Sequence, residues 1–361
     1  MNRTIRLALN TTPEQASALT ETAVQFTRAF NAVCAAGWEA NEKNGVKLHH
    51  LTYYNVKALC PELVSDLIVQ ARTKATEALK SAFALRKKGG KVSCPQATAC
   101  PPRYNHHTAT VKWGQSEVRL STTGGRMTIP FVLPEHYAKY AGGRTLTADL
   151  MFRKNRWFLH VSVELPAAQP VESDQVIGVD LGLNRPAVTS SAKFLGKRYW
   201  REVERRYFRL RRSLQSKGTK SAKRHLKRLS GKVNRFRKDC DHVLSRRIVD
   251  SVAPGTTIVV ENLVNIRKGT KQRGRESRRR MHSWSFDQLR SFLEYKAEEK
   301  GCRVAGVDPR HTSQRCFKCG HTARNNRRSQ ARFVCRECGY EVNADLNGAR
   351  NIAWKYLAGG G

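Results

Sequence analysis

Cys316-Phe317-Lys318-Cys319-Gly320 and Cys335-Arg336-Glu337-Cys338-Gly339 are followed at once by Asn343-Ala344-Asp345-Leu346-Asn347. Two Cys-x2-Cys turns, fifteen residues apart, offer four thiolates, the donor set that tetrahedral Zn²⁺ takes in structural sites. Gly320 and Gly339 close the turns and can supply the positive φ of a tight knuckle. In an exported chain the same cysteines would read as two disulfides. This chain opens Met1-Asn2-Arg3-Thr4 without an apolar signal run, and no stretch reaches the ~18 apolar residues of a membrane span. A zinc ribbon held by Cys316, Cys319, Cys335 and Cys338 in a soluble, reducing, cytoplasmic setting is therefore expected. Asp345 stands seven residues beyond Cys338, so the ribbon leads directly into an acid.

Two more acids upstream end apolar runs. Val176-Ile177-Gly178-Val179-Asp180-Leu181-Gly182 reads as a buried strand delivering Asp180, with a glycine after it that lets another group approach. Thr256-Thr257-Ile258-Val259-Val260-Glu261-Asn262-Leu263 repeats the arrangement with Glu261. A carboxylate at the end of an all-apolar strand is costly to bury unless it binds a cation. Asp308 also follows an apolar run, Cys302–Val307, and alone any of these acids would pass for an ordinary strand end.

Between the two strands lies a basic helical hairpin. Trp200, Val203, Tyr207, Leu210 and Leu214 form one apolar face, and Leu226, Leu229, Val233, Phe236, Cys240, Leu244 and Ile248 form the other. Lys217-Gly218-Thr219-Lys220 makes the turn. Arg205, Arg209, Arg212, Lys223, Lys227 and Arg237 lie on the polar faces. Residues 197–280 hold 28 Lys or Arg against seven Asp or Glu, and the chain of 361 residues carries a formal charge of +37. Such an excess repels itself in a compact fold unless counter-charge is bound, and nucleic acid is the expected counter-charge. Residues 267–275 read as a basic loop ordered only on nucleic acid, and Ser285-Phe286-Asp287-Gln288 as a capping box opening the next helix.

The amino-terminal half alternates differently. Residues 2–9 read as an edge strand, 13–40 and 61–87 as helices, and 88–108 as a Gly- and Pro-marked loop. Strands follow at Glu117–Ser121, Arg126–Phe131, Arg144–Phe152 and Trp157–Leu165, enough with the first to close a small β-barrel. Cys94, Cys100, His106 and His107 fit no standard ligand spacing.

The succession Gly178-Val179-Asp180-Leu181-Gly182, Val260-Glu261-Asn262-Leu263, Thr312-Ser313-Gln314-x-Cys316-x2-Cys319-Gly320, Cys335-x2-Cys338-Gly339 and Asn343-Ala344-Asp345-x-Asn347 resembles the TnpB family. These OrfB-like, transposon-encoded RNA-guided nucleases are related to type V CRISPR effectors. The motifs cover about residues 176–353; the amino-terminal half matches only in layout, and the short chain favours the transposon-encoded group.

The resemblance implies a multidomain α+β protein. Its RNase H-like (RuvC-type) α/β core would occupy residues 173–309 and 343–361, with the zinc ribbon inserted at 310–342. A wedge-like β-barrel would be formed by 1–10 and 108–172, carrying a helical recognition insertion at 11–107. It implies catalysis and Mg²⁺ or Mn²⁺ binding by Asp180, Glu261 and Asp345, structural Zn²⁺, a guide RNA from the element end, and cleavage of double-stranded target DNA beside a short motif. It assigns Asp308 no ligand role.

Arg350 is a candidate for the scissile phosphate, and Tyr53, Tyr54, Gln70, Thr73 and Lys74 are candidates for reading the adjacent motif. Arg315, Lys318, Arg324, Arg327, Arg328 and Arg332 would supply charge to a ribbon that either anchors Asp345 or loads a target strand. A prokaryotic cytoplasmic protein, monomeric in its complex, is expected. The alternatives are a small type V CRISPR effector, a nuclease-independent RNA-guided repressor, and an RNA-independent nuclease or transposase accessory.

Overall fold

The computed structural model describes residues 1–166, 171, 173–197, 199–263, 274–329 and 331–359. The basic loop expected at 267–275 lies outside the described residues up to position 273. The chain divides into two compact units, residues 1–166 and 167–361. No described helix is long and apolar enough to cross a membrane.

The first unit runs β1 (Asn2–Leu9), α1 (Pro13–Glu39), α2 (Gly45–Leu59), α3 (Ser65–Lys87), β2 (Arg103–Tyr104), β3 (Ala109–Lys112), β4 (Glu117–Thr122), β5 (Gly125–Val132), β6 (Arg144–Arg153) and β7 (Arg156–Glu164). Its seven strands form one sheet in the order β2-β6-β7-β1-β5-β4-β3, so β1, expected at an edge, is central and pairs with β7 and β5 on its two sides. The edge strands β2 and β3 are joined through residues 105–108, which keeps the two edges close and the sheet a near-closed barrel. Ile5, Leu7 and Leu9 of β1, Phe26 and Val33 of α1, and Leu67 and Ala71 of α3 belong to one buried cluster, so helices and sheet share a core.

Helix α2 corrects the two-helix reading of this region. Asn44 caps it by accepting from the backbone N–H groups of Val46 and Lys47, and Leu48, Thr52 and Val56 face inward. Its Gly45 start and its Thr52-Tyr53-Tyr54-Asn55 run have weak helix propensity, and packing overrides them. The segment read as a loop at 88–108 is strapped to α1. The Asn31 amide donates to Ala97 O and accepts from Ala97 N–H, both at 2.9 Å, and Cys94 Sγ lies 3.5 Å from Cys34 O.

The second unit contains β8 (Val176–Asp180), β9 (Ala187–Thr189), β10 (Phe194–Leu195), α4 (Tyr199–Lys217), α5 (Lys220–Asp250), β11 (Thr257–Glu261), α6 (Arg275–Ser283), α7 (Phe286–Glu299), β12 (Arg303–Val307), β13 (Arg332–Val334), β14 (Glu341–Asn343) and α8 (Ala344–Leu357). Five strands form a mixed sheet in the order β10-β9-β8-β11-β12, in which β8, β11 and β12 are parallel and β9 and β10 alternate in direction. Strand alternation sorts the side chains. Ile177, Val179, Ile258 and Val260 meet α5 and α7 on one face, and Val176, Val259, Ala305 and Val307 pack with Ile352 and Tyr356 of α8 on the other. The short strands β9 and β10 and the helix α6 carry too little periodicity to be read in advance.

The capping box expected at Ser285 does not form, because Ser285 has no side-chain cap bond. Its hydroxyl donates instead to Asp241 Oδ2 of α5 at 2.6 Å, and the Gln288 amide donates to the same oxygen at 2.7 Å. A buried carboxylate needs donors more than an exposed helix end does.

Candidate metal centres

Register and alternation bring the acids together. Gly178 and Val179 of β8 pair with Val259 and Val260 of β11, so Asp180 and Glu261 end neighbouring strands at the same level. Both have the parity of the α8 face. There α8 begins, its Asn343 cap accepting from the N–H groups of Asp345 and Leu346. Helix and strand approach unusually closely because Gly178 has no side chain. A Cβ there would stand 2.1 Å from Ala349 O and 2.6 Å from Ala353 N. Gly348 serves the acid itself, since a Cβ would lie 2.9 Å from Asp180 Oδ2. The close approach expected at Gly182 is made by the carbonyl of Arg185, 2.8 Å from where a Cβ would be, so the loop folds on itself.

Asp180 is pushed up to about 8, first by burial and then by the neighbouring charges of Glu261 and Asp345, with Arg327 opposing. Burial also raises Glu261, against a hydrogen bond from Thr312 Oγ1 at 2.5 Å and the cations Lys355 and Arg327. Burial likewise raises Asp345, against Arg327 and Arg185. Arg327 Nη2 reaches Asp345 Oδ1 at 3.1 Å, and Arg185 Nε lies 3.9 Å from Asp345 Oδ2. Asp180, Glu261, Thr312, Arg327 and Gly348 line an opening of about 370 Å³, whereas Asp345 pairs with Arg327 and is not in its wall. These hard oxygen donors, buried and mutually repelling with guanidinium as counter-charge, suit divalent Mg²⁺ or Mn²⁺. Sequence reasoning grouped Arg327 with five other ribbon cations and missed its place here. Nothing in the spacing tells which of the six turns inward.

The four cysteines meet. Their sulfurs all lie within 4.8 Å of one another, with Cys316 and Cys338 at 3.7 Å and Cys319 and Cys335 at 3.6 Å. A tetrahedron of Zn–S bonds of ~2.3 Å gives S···S near ~3.8 Å, whereas a disulfide needs ~2.05 Å. Gly320 and Gly339 have φ of 83° and 68°, as the knuckles require. Cys316, Phe333 and Cys335 pack with Ala344, the residue before Asp345, and β14 runs straight into α8. Among the described residues no other group of three or more such ligands closes to this distance, so the carboxylates surround a wider space than the thiols do.

The remaining candidates are scattered. Arg350 turns toward the ribbon, donating to Tyr340 Oη at 2.7 Å with its guanidinium 5.6 Å from the Phe317 ring, and does not line the carboxylate opening. Asp308 pairs with Arg310 and Lys355 and touches the centre only by raising Glu261. Arg205, Arg209, Arg212, Lys223 and Lys227 are exposed along the hairpin, whereas Arg237 pairs with Glu204 at 3.0 Å. Tyr54 is 81% exposed on α2, while Tyr53 packs against the core and His49. Lys74 is drawn inside by Asp149 at 2.7 Å, and Thr73 bonds back to Val69 O, leaving Gln70 half-buried.

Residues 160–268 match the family model described as "Probable transposase", and residues 286–352 match "Cas12f1-like, TNB domain". The chain is 37% identical over 221 residues to the CRISPR-associated endodeoxyribonuclease Cas12f1 of Sulfoacidibacillus thermotolerans, covering 56% of this chain and 50% of that one. It is 34% identical over 216 residues to InsQ of Escherichia coli (strain K12), named as a candidate RNA-guided DNA endonuclease, covering 55% and 53%. A TnpB-like protein of Methanocaldococcus jannaschii is 28% identical over 157 residues, covering 43% and 55%. The chain spans about half the length of the curated relatives it matches. In fold it is similar to a Cas12f1 chain solved in a complex with single-guide RNA and target DNA, with TM-score 0.63 and 18% identity over 94% of this chain and 83% of that one. The matched stretches carry both the strand-end acids and the ribbon, and through them the chain is similar to TnpB-like proteins.

Proposed function

We propose that the chain is an RNA-guided double-stranded DNA endonuclease encoded by an insertion sequence. It would hydrolyse both strands in turn at one Mg²⁺- or Mn²⁺-dependent RuvC-type centre built from Asp180, Glu261 and Asp345. The observation that carries this reading is the convergence of the three acids at one end of a mixed sheet, where burial and mutual repulsion push Asp180 up to about 8. The strand order β10-β9-β8-β11-β12, with β9 antiparallel to β8, supports an RNase H-like core. Divalent ions bound there would polarise a water and offset charge on the leaving 3′-oxygen.

The chain's own groups set the geometry. Thr312 orients Glu261, Gly348 leaves room beside Asp180, and Arg327 holds Asp345 while offering positive charge to a phosphate. The ribbon fixes the start of α8, with Zn²⁺ as a structural ion. The 1–10 and 108–172 barrel with its 11–107 helices would contact guide RNA and the target-adjacent duplex, with exposed Tyr54 the best placed of the proposed readers. The names of InsQ and of the Cas12f1 complex support guide RNA and target DNA as partners. The protein would act as a monomer in that complex, in a prokaryotic cytoplasm.

The 37% identity to a Cas12f1 favours one second reading, a small type V CRISPR effector. Sequencing the RNA that co-purifies with the chain, expressed with its native flanking DNA, tests both. One abundant species with a constant scaffold and an end running beyond the element is the expected result. Repeat-derived RNA selects the CRISPR reading, and heterogeneous RNA released by moderate salt contradicts guidance.

A further inference from the structure

On the other side of Arg185 from the carboxylate centre, the second unit holds a cavity of about 610 Å³. It is walled by the loop after β8, the first turns of α4, the middle of α5 and the start of α7. Its size is that of a pocket for one small organic group. Apolar walls come from Trp200, Phe236 and Trp284. Asp241 also lines it and is 9% exposed. Ser285 and Gln288 both donate to its Oδ2, and among the described residues Oδ1 takes no hydrogen bond. The cavity thus keeps one acceptor of a largely buried carboxylate open to a donor from whatever enters it.

The lining also includes Arg201 and Arg205 of α4, which make no ion pair or hydrogen bond among the described residues. Desolvation and the neighbouring guanidinium groups of Arg280 and Arg205 hold Arg201 below its usual range against the opposing Glu276, and Glu202 and Glu204 also line the cavity, so the cations outweigh the acids beside Arg201. Apolar walls, one open carboxylate oxygen and guanidinium groups without an ion pair together match a nucleotide: base inside, phosphate on the arginines.

We propose that this cavity is a nucleotide pocket that takes one unstacked nucleotide of a single DNA strand, with an N–H of its base on Asp241 Oδ1 and its phosphate on Arg201 and Arg205. A lone carboxylate oxygen favours the exocyclic amines of cytosine, adenine and guanine. The N–H of thymine lies between two carbonyls that the carboxylate repels. Arg185 lines the cavity and stands 3.9 Å from Asp345, so the nucleotide belongs to the strand next to the cut; this last step rests on the nuclease reading.

Photo-cross-linking tests the pocket without cleavage. The full chain, in magnesium-free buffer, is irradiated with short oligothymidine strands carrying one 5-iodocytosine at successive positions, with RNA counterparts, and with 5-iodouracil controls. Adducts on Trp200, Phe236 or Trp284 from the cytosine DNA strands are expected. Their yield should fall by about tenfold in Asp241→Asn, which removes the charge from the acceptor. Arg201 is exposed, so Arg201→Ala tests the phosphate contact without disturbing the core, and a drop of about threefold is expected. Adducts confined to other elements, unchanged yields in both variants, equal yields from iodouracil, or adducts from RNA alone would each overturn the proposal. Cutting is assayed separately with magnesium. A chain that cuts but cross-links elsewhere retires the pocket alone, and one that cross-links here but does not cut supports the pocket and retires the nuclease reading.

Discussion

In the unfolded chain the Asp180 carboxyl ionises near 3.8, whereas burial beside Glu261 and Asp345 raises it to about 8 in the fold. Between those values the folded state keeps a proton that the unfolded state has lost. Asp180 therefore contributes stability fully below about 4, and that contribution is lost as pH rises toward about 8. His242 acts in the opposite sense, because burial and Lys296 lower it to about 4. A comparison with Asp180→Asn isolates the acid. In magnesium-free buffer the melting temperature of the parent should fall relative to the variant between about pH 5 and 8. Millimolar Mg²⁺ should remove that fall; a parallel pair of curves would contradict it. The strand-end acids were legible because a carboxylate after an unbroken apolar run needs an explanation wherever it occurs. Arg327 was not, because its role depends on how the ribbon folds back. Ser285 and Gln288 misled because a local pattern cannot reveal that Asp241 would claim both donors.

Helix α8 carries Asp345 to the sheet, and its docking depends on Gly178. A methyl group at that position meets helix backbone at 2.1 Å and 2.6 Å, which cannot give way as a side chain could. Gly178→Ala should cost about 3 kcal/mol in urea unfolding and displace Asp345; a change within about 0.5 kcal/mol would contradict the packing account. The ribbon makes a parallel claim. Its core runs through Phe333 and Ala344 into α8, so stripping Zn²⁺ should abolish cleavage while leaving the circular dichroism of the β8–β11–β12 core melting cooperatively. Full activity in metal-stripped, magnesium-restored protein would show that the ribbon does not anchor the helix. At this scale long periodic segments such as β1, α1, α3 and α5 were readable. Helix α2 was hidden by its aromatic and β-branched run, and β9 and β10 by having only three and two residues.

The whole chain carries a charge of +37, and its exposed hairpin arginines and lysines have few acidic partners. Composition made nucleic acid the expected counter-charge, and the order of the motifs made the family resemblance legible. Composition could not reveal that helices and barrel of the first unit share one core, since that depends on contacts between segments far apart in sequence. A strand-end carboxylate centre supplied with RNA and Mg²⁺ should therefore cut DNA. The most direct test compares the parent and Asp180→Ala, each purified with its co-expressed RNA, on a matched double-stranded target in Mg²⁺. The account predicts cleavage of both strands by the parent, and a loss on the order of a thousandfold in the variant with RNA and target binding retained. Cleavage by Asp180→Ala at the parental rate would contradict it.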